Sequence, residues 1–192
     1  KSRSRGLGDV YKRQTRFKPY ENERQPTRQS LVLVGGDGNG YDYSEKDWYR
    51  LAFEFKNISS TFINSKRTPK FAWQNLKENS GPEHKHLDTE NTDLQLLTKN
   101  LDEHSHIFVT ADSTTRISEI ISRGYFINVI EMKGPIQYEM HHDFMQSLQE
   151  KGLLKIMRLD ELHLSENKYH GNVKKFVVTE RDALKLKLQK LL

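Results

Sequence analysis

"LVLVGGDGNGYDYS", residues 31–44, passes from four apolar residues into four glycines and two acids. An unbroken apolar run of this length predicts a strand buried on both faces, as in a parallel sheet. Glycines at its end predict a tight turn, or the close approach of another backbone or a phosphate. Two phosphate motifs are excluded. The dinucleotide fingerprint G-x-G-x-x-G, begun at Gly36 or Gly38, meets Tyr41 or Tyr43 where its third glycine is required. The P-loop pattern finds Gly35 and Gly40, followed by Tyr41 and Asp42 in place of lysine and a hydroxyl. The rest of the chain has to say what these glycines make room for.

Working outward, Ser44 and Asp47 form a capping box, and Trp48, Leu51, Ala52 and Phe55 follow at helical spacing. "STFIN" (60–64) predicts a second strand. Thr68 as N-cap and Pro69 at the first helical position predict a helix toward Glu78. The polar stretch 78–93 is expected to be a long loop. A short helix marked by Leu94, Leu97 and Leu101, a strand "HIFVT" (106–110), a helix closed by Gly124 and a strand "YFINVI" (125–130) come next. Residues 137–150 are expected to be helical, with Tyr138, Phe144, Met145 and Leu148 inward. Thr179 with Asp182 is expected to start a terminal lysine-rich helix. Strands alternating with helices at this spacing imply an α/β fold with a Rossmann-like parallel sheet and flanking helices.

At 192 residues the chain can bury the core of one domain or of one lobe of a larger protein. It has no cysteine, which excludes disulfides and thiolate metal sites. No apolar run approaches the ~20 residues of a membrane span. Residues 1–14 carry five cations against one acid, a net +4, leaving residues 15–192 about +1 of the formal +5. They have no apolar period and resemble translated sequencing-adaptor read-through, so they are expected to be a non-native tail. Residues 15–29 are expected to be a linker and 30–192 the folded lobe, and an artefactual tail would make the chain a carboxyl-terminal fragment of a longer protein. Nucleic acid is not an expected partner, because no basic stripe remains without the tail.

In an open α/β sheet, ligands bind beyond the carboxyl ends of the strands. Three loops there are informative: "GGDGNGYD" (35–42), "NSKRTP" (64–69) and "TADSTT" (110–115). The second sets Ser65, Lys66, Arg67 and Thr68 at a helix start, where free N–H groups and two cations suit an anion. The third offers hydroxyls at Thr110, Ser113, Thr114 and Thr115, with Glu119 one turn up from Thr115. The bland alternative is that each is an ordinary capped turn, with Glu119 paired to Arg116 or Arg123. Histidines at 84 and 86, 104 and 106, and 141 and 142 lack a metal-ligand pattern such as H-E-x-x-H, so no metal is expected.

"LVLVGGDGNGYDY", "FINSKRTP" and "VTADSTTRISEIISRG" together resemble the ELM family of glycosyltransferase-like proteins, named after a plant mitochondrial fission factor. The resemblance covers about residues 28–192. It implies the carboxyl-terminal, nucleotide-binding lobe of a GT-B fold that takes a nucleoside-diphosphate sugar as donor, with no further cofactor. Gly35 and Gly36 would lie near the diphosphate, Arg67 would contact it, Ser113 and Thr115 would line the helix start, and Glu119 would take the ribose. Arg116 stands where the family usually has methionine. No catalytic residue is assigned, because the base would belong to the amino-terminal lobe, which is the expected partner. The alternative function is a non-catalytic adaptor of the mitochondrial-fission type. A cytoplasmic location is expected, with peripheral membrane contact through the terminal "KLKLQKLL" as the weaker reading beside packing of its leucines.

Overall fold

The computed structural model describes residues 27–89, 94–132, 139–164 and 171–189. Six strands form one parallel sheet: β1 (Thr27–Leu33), β2 (Ser60–Ile63), β3 (Lys85–Leu87), β4 (His104–Thr110), β5 (Ile127–Glu131) and β6 (Leu154–Arg158). Their order is β3-β2-β1-β4-β5-β6. This is the doubly wound Rossmann arrangement, in which the chain reverses its direction of travel between β1 and β4 and opens a crevice at their carboxyl ends.

Helices α1 (Glu45–Phe55), α2 (Lys70–Asn79), α3 (Leu94–Glu103), α4 (Thr114–Ser122), α5 (Glu139–Glu150) and α6 (Gly171–Gln189) flank the sheet. The apolar run at 31–34 is buried on both faces, as its composition requires. The Ser44–Asp47 capping box starts α1, which buries Trp48, Leu51, Ala52 and Phe55. Phe55 meets Phe62 of β2 and Phe108 of β4 edge-on, with ring centroids 5.7 and 5.2 Å apart, so α1 is fixed over the three central strands. On α4, Ile117, Ile120 and Ile121 form the buried face. Gly124, at φ 91°, supplies the left-handed residue that ends this helix.

Several expectations change. The segment taken as a loop contains β3, an edge strand whose burial alternates too little to show in the sequence. β1 begins at Thr27, inside the expected linker. Thr68 does not cap α2: Pro69 is the N-cap, without a side-chain cap bond. Thr179 lies within α6 and donates to the Lys175 carbonyl, so the last helix starts eight residues before it. Met145 is buried in the core, with Phe144 and Leu148 packed against it, while Tyr138 falls outside the described residues. The terminal leucine side chains, from Leu184 onward, also fall outside them.

His86 and His104 serve packing. His86 stacks on Phe62, centroids 5.3 Å apart. His104 donates from Nδ1 to the Asn100 carbonyl (2.7 Å) and accepts from the Thr61 hydroxyl at Nε2 (3.0 Å), the neutral tautomer. Among the described residues no cluster of three or more His, Asp or Glu fits a metal ion.

Candidate functional site

The glycine loop leaves β1 at the crevice, and what approaches its backbone is protein. A Cβ on Gly35 would sit 2.1 Å from the Asp112 carboxylate, and one on Gly36 would sit 2.1 Å from the Arg67 carbonyl oxygen. A Cβ on Gly38 would meet the Arg67 guanidinium at 2.3 Å. Gly40 answers to a local demand instead. Asn39 (φ 50°) and Gly40 (φ 82°) are the two central residues of a hairpin turn, closed by reciprocal 3.0 Å bonds between Gly38 and Tyr41. Asn-Gly is the pair such a turn prefers.

Asp112 is the centre of the network. Its side chain has no exposed surface. Its Oδ2 accepts from the Gly36 N–H (3.1 Å) and from Arg67 Nη2 (2.8 Å), and its Oδ1 accepts from the Thr110 hydroxyl (2.6 Å). The Thr110 oxygen in turn accepts from the Gly35 N–H at 2.7 Å. Burial pushes the Asp112 carboxyl above its ordinary range, while the Thr110 hydroxyl, the Gly36 N–H and the Arg67 charge pull it back. Asn39 ties the loop to the start of α4, donating to the Asp112 carbonyl (2.7 Å) and to Thr114 Oγ1 (3.0 Å). His141 of α5 closes the other side through its Nε2 bond to the Ala111 carbonyl, at 2.6 Å.

The second loop is held just as tightly. The Thr68 hydroxyl is within bonding distance of the Gly35 (2.6 Å) and Val34 (3.0 Å) carbonyls and accepts from the Ser65 N–H (2.9 Å). This is why it cannot cap α2. Ser65 Oγ accepts from the Arg67 N–H, fixing the turn that aims the arginine at Asp112. Arg67 keeps 45% of its side chain exposed, and Nη1 donates to the Asp37 carbonyl at 3.2 Å.

At the α4 start, Ser113 caps the Arg116 N–H at 3.3 Å, and Thr115 is exposed. Arg116 is half-buried at the third helical position, where the helix dipole opposes a cation. Among the described residues it has no ion pair. Burial disfavours its charge, as do Arg123 and Arg67, while Glu119 and Asp112 favour it. Glu119 binds Arg123 Nη2 at 2.9 Å, neutralising a guanidinium that is nearly buried.

Of the residues expected from sequence, Gly35, Gly36, Ser65, Arg67 and Thr68 thus converge with the Ser113 and Thr115 helix start at one crevice. Glu119 stands a turn away, already engaged. Asp112, Asn39 and His141 were missed. The signal for Asp112 was an acid following a strand end, opposite a basic pair at the next loop.

The family model for mitochondrial fission ELM1 matches residues 11–181. The chain belongs to this family. The match to the ELM1 family begins inside the segment expected to be a non-native tail. No curated protein matches the chain. The solved structures that match this ELM1-family chain share little sequence with it. The molybdenum cofactor carrier protein of Chlamydomonas reinhardtii is 10% identical over 67% of this chain and 89% of its own, with a TM-score of 0.43. YcaC from Pseudomonas aeruginosa is 12% identical over 88% and 99%, with a TM-score of 0.47. Os79 from O. sativa, solved with U2F and trichothecene, is 9% identical over 90% of this chain and 40% of its own, with a TM-score of 0.45. Among the described residues no helix is long and apolar enough to cross a membrane.

Proposed function

We propose that the chain is the nucleotide-binding lobe of a two-lobed, GT-B-type glycosyltransferase and holds the diphosphate of a nucleotide sugar. The observation that carries this reading is the meeting of the Gly35–Gly38 loop, Arg67 and the α4 start at the β1/β4 switch point, the place where doubly wound sheets bind ligands. Arg67 presents a half-exposed guanidinium, and Arg116 a second without an ion pair among the described residues. The α2 start lacks a side-chain cap, so its first N–H groups are open to an anion. The site's contribution is electrostatic: it grips and orients the donor and steadies charge on the departing diphosphate, while proton transfer belongs to the amino-terminal lobe. A cytoplasmic setting, with the second lobe as partner and a membrane surface touched only peripherally, belongs to the same proposal.

The adaptor reading has its own support. Asp112 already fills the space beside Gly35 and holds Arg67, and Glu119 is engaged by Arg123, so the residues expected to hold phosphate and ribose already have protein partners. Calorimetric titration with UDP, GDP, CMP and ADP separates the two readings. Saturable binding of one nucleotide, weakened tenfold or more in Arg67→Ala (~1.4 kcal/mol), is expected for the transferase lobe. Absence of binding by the folded chain is expected for the adaptor.

A further inference from the structure

The Asp112–Arg67 pair is built like a contact meant to be exchanged. Its carboxylate is wholly buried, while its guanidinium is half exposed. The contact is a single bond, Nη2 to Oδ2 at 2.8 Å, and lacks the two-pronged geometry that makes arginine–carboxylate pairs strong. The other bond of the guanidinium goes to a neutral carbonyl, that of Asp37, at 3.2 Å. The carboxylate meanwhile occupies the space that Gly35 leaves free and takes the Gly36 N–H, the two features a phosphate would use in a glycine cradle. A phosphate arriving beside an ionised, buried Asp112 would face a like charge at short range in a poorly screened place.

Resting on the nucleotide-binding reading, we infer that Asp112 is the resident anion of this site and a specificity residue for its ligand. A ligand phosphate takes Arg67 from it, and the freed carboxylate takes up one proton from solvent. The balance is simple: the Arg67–carboxylate contact breaks, an Arg67–phosphate contact forms, and one proton converts carboxylate to carboxylic acid. Other charged and titratable groups acting there are Arg116 of α4 and, from the glycine loop, Tyr41, Tyr43 and Asp37. Glu131 at the end of β5 accepts from the Tyr41 hydroxyl at 2.8 Å, and His141 of α5 holds the Ala111 carbonyl. Both tyrosines are pushed up by burial, so they stay neutral through the range in which a carboxyl titrates. Arg116, without an ion pair among the described residues, is the second cation available to a diphosphate. The starting position of the carboxyl, already raised by burial, brings the uptake toward neutral pH.

The test is calorimetry of the full 192-residue chain with UDP-, GDP- and ADP-glucose, repeated in buffers of different ionisation enthalpy between about pH 5.5 and 8. These donors lack the terminal phosphate that itself titrates near pH 6, so a proton counted belongs to the protein. Uptake of up to one proton is expected, with affinity rising as pH falls by up to tenfold per unit. Asp112→Asn is expected to bind more tightly at pH 8 and to lose the pH dependence. Donor binding with no proton uptake and no pH dependence overturns the inference and leaves the nucleotide reading standing. If no donor binds, inorganic pyrophosphate is titrated into both proteins. Binding to Asp112→Asn alone, abolished by adding Arg67→Ala, retains Asp112 as resident anion and discards the nucleotide reading. Binding of pyrophosphate to neither, or to both alike, overturns both. The wild-type proton count stands even where the variant does not fold.

Discussion

The two edges of the sheet both bury polar side chains, and they neutralise them differently. At the amino edge, His104 is neutral, with both ring nitrogens matched to the Asn100 carbonyl and the Thr61 hydroxyl. At the carboxyl edge, a fully buried carboxylate is held by a half-exposed arginine, beside a second guanidinium with no ion pair among the described residues. The His104 arrangement is closed, since both ring nitrogens have their partners. The second keeps charge in reserve, which packing alone does not require and which an anionic ligand would use.

The largest effect expected is steric and confined to the carboxyl edge. Gly35→Ala places a methyl on the Asp112 carboxylate and Gly36→Ala places one on the Arg67 carbonyl. Each is expected to lower stability by about 3 kcal/mol, read from urea denaturation. A loss below about 1 kcal/mol would show that Asp112 and Arg67 move aside readily, and would weaken the contrast between the edges.

Acid should act on the two edges with opposite sign. Burial lowers the affinity of His104, and of His86 and His106, for a proton relative to the ordinary value of 6.5. The unfolded chain therefore binds more protons below that pH, and stability from this edge is lost as pH falls. Asp112 is raised from 3.8, so the folded chain binds its proton first, and the penalty of burying its charge is relieved as pH falls through the raised value. Denaturation curves at several pH values should thus show a shallower acid loss in His104→Leu and a steeper one in Asp112→Asn. His104→Leu also leaves the Asn100 carbonyl and the Thr61 hydroxyl without their partner, at about 1–3 kcal/mol near neutral pH.

Helix starts give the smallest effects. Ser44→Ala removes the capping box of α1, and Ser113→Ala the single cap bond of α4. About 1 kcal/mol is expected from each in thermal unfolding, with Ser44 the larger because its hydroxyl also donates to the Asp47 carboxylate at 2.6 Å. Only Ser113→Ala, at the crevice, should also alter nucleotide binding.

By itself, the sequence determined the α/β class and the main strands and helices that carry the three crevice loops. Apolar runs, capping pairs and helical spacing are local, and a few neighbouring residues suffice to express them. It placed Gly35, Gly36, Ser65, Arg67, Thr68, Ser113 and Thr115 at one sheet edge because strand ends and helix starts are themselves local. Tertiary structure alone decided the rest. β3 is polar and short, so only its pairing with β2 defines it. Thr68 looked like a cap until the Val34 and Gly35 carbonyls claimed its hydroxyl. Asp112 gave little local sign of its role, because its partner at Gly36 lies 76 residues away in the chain and Arg67 lies 45 away. What fills a glycine's missing side chain is set by whichever distant strand the sheet brings alongside, and no local pattern encodes that choice.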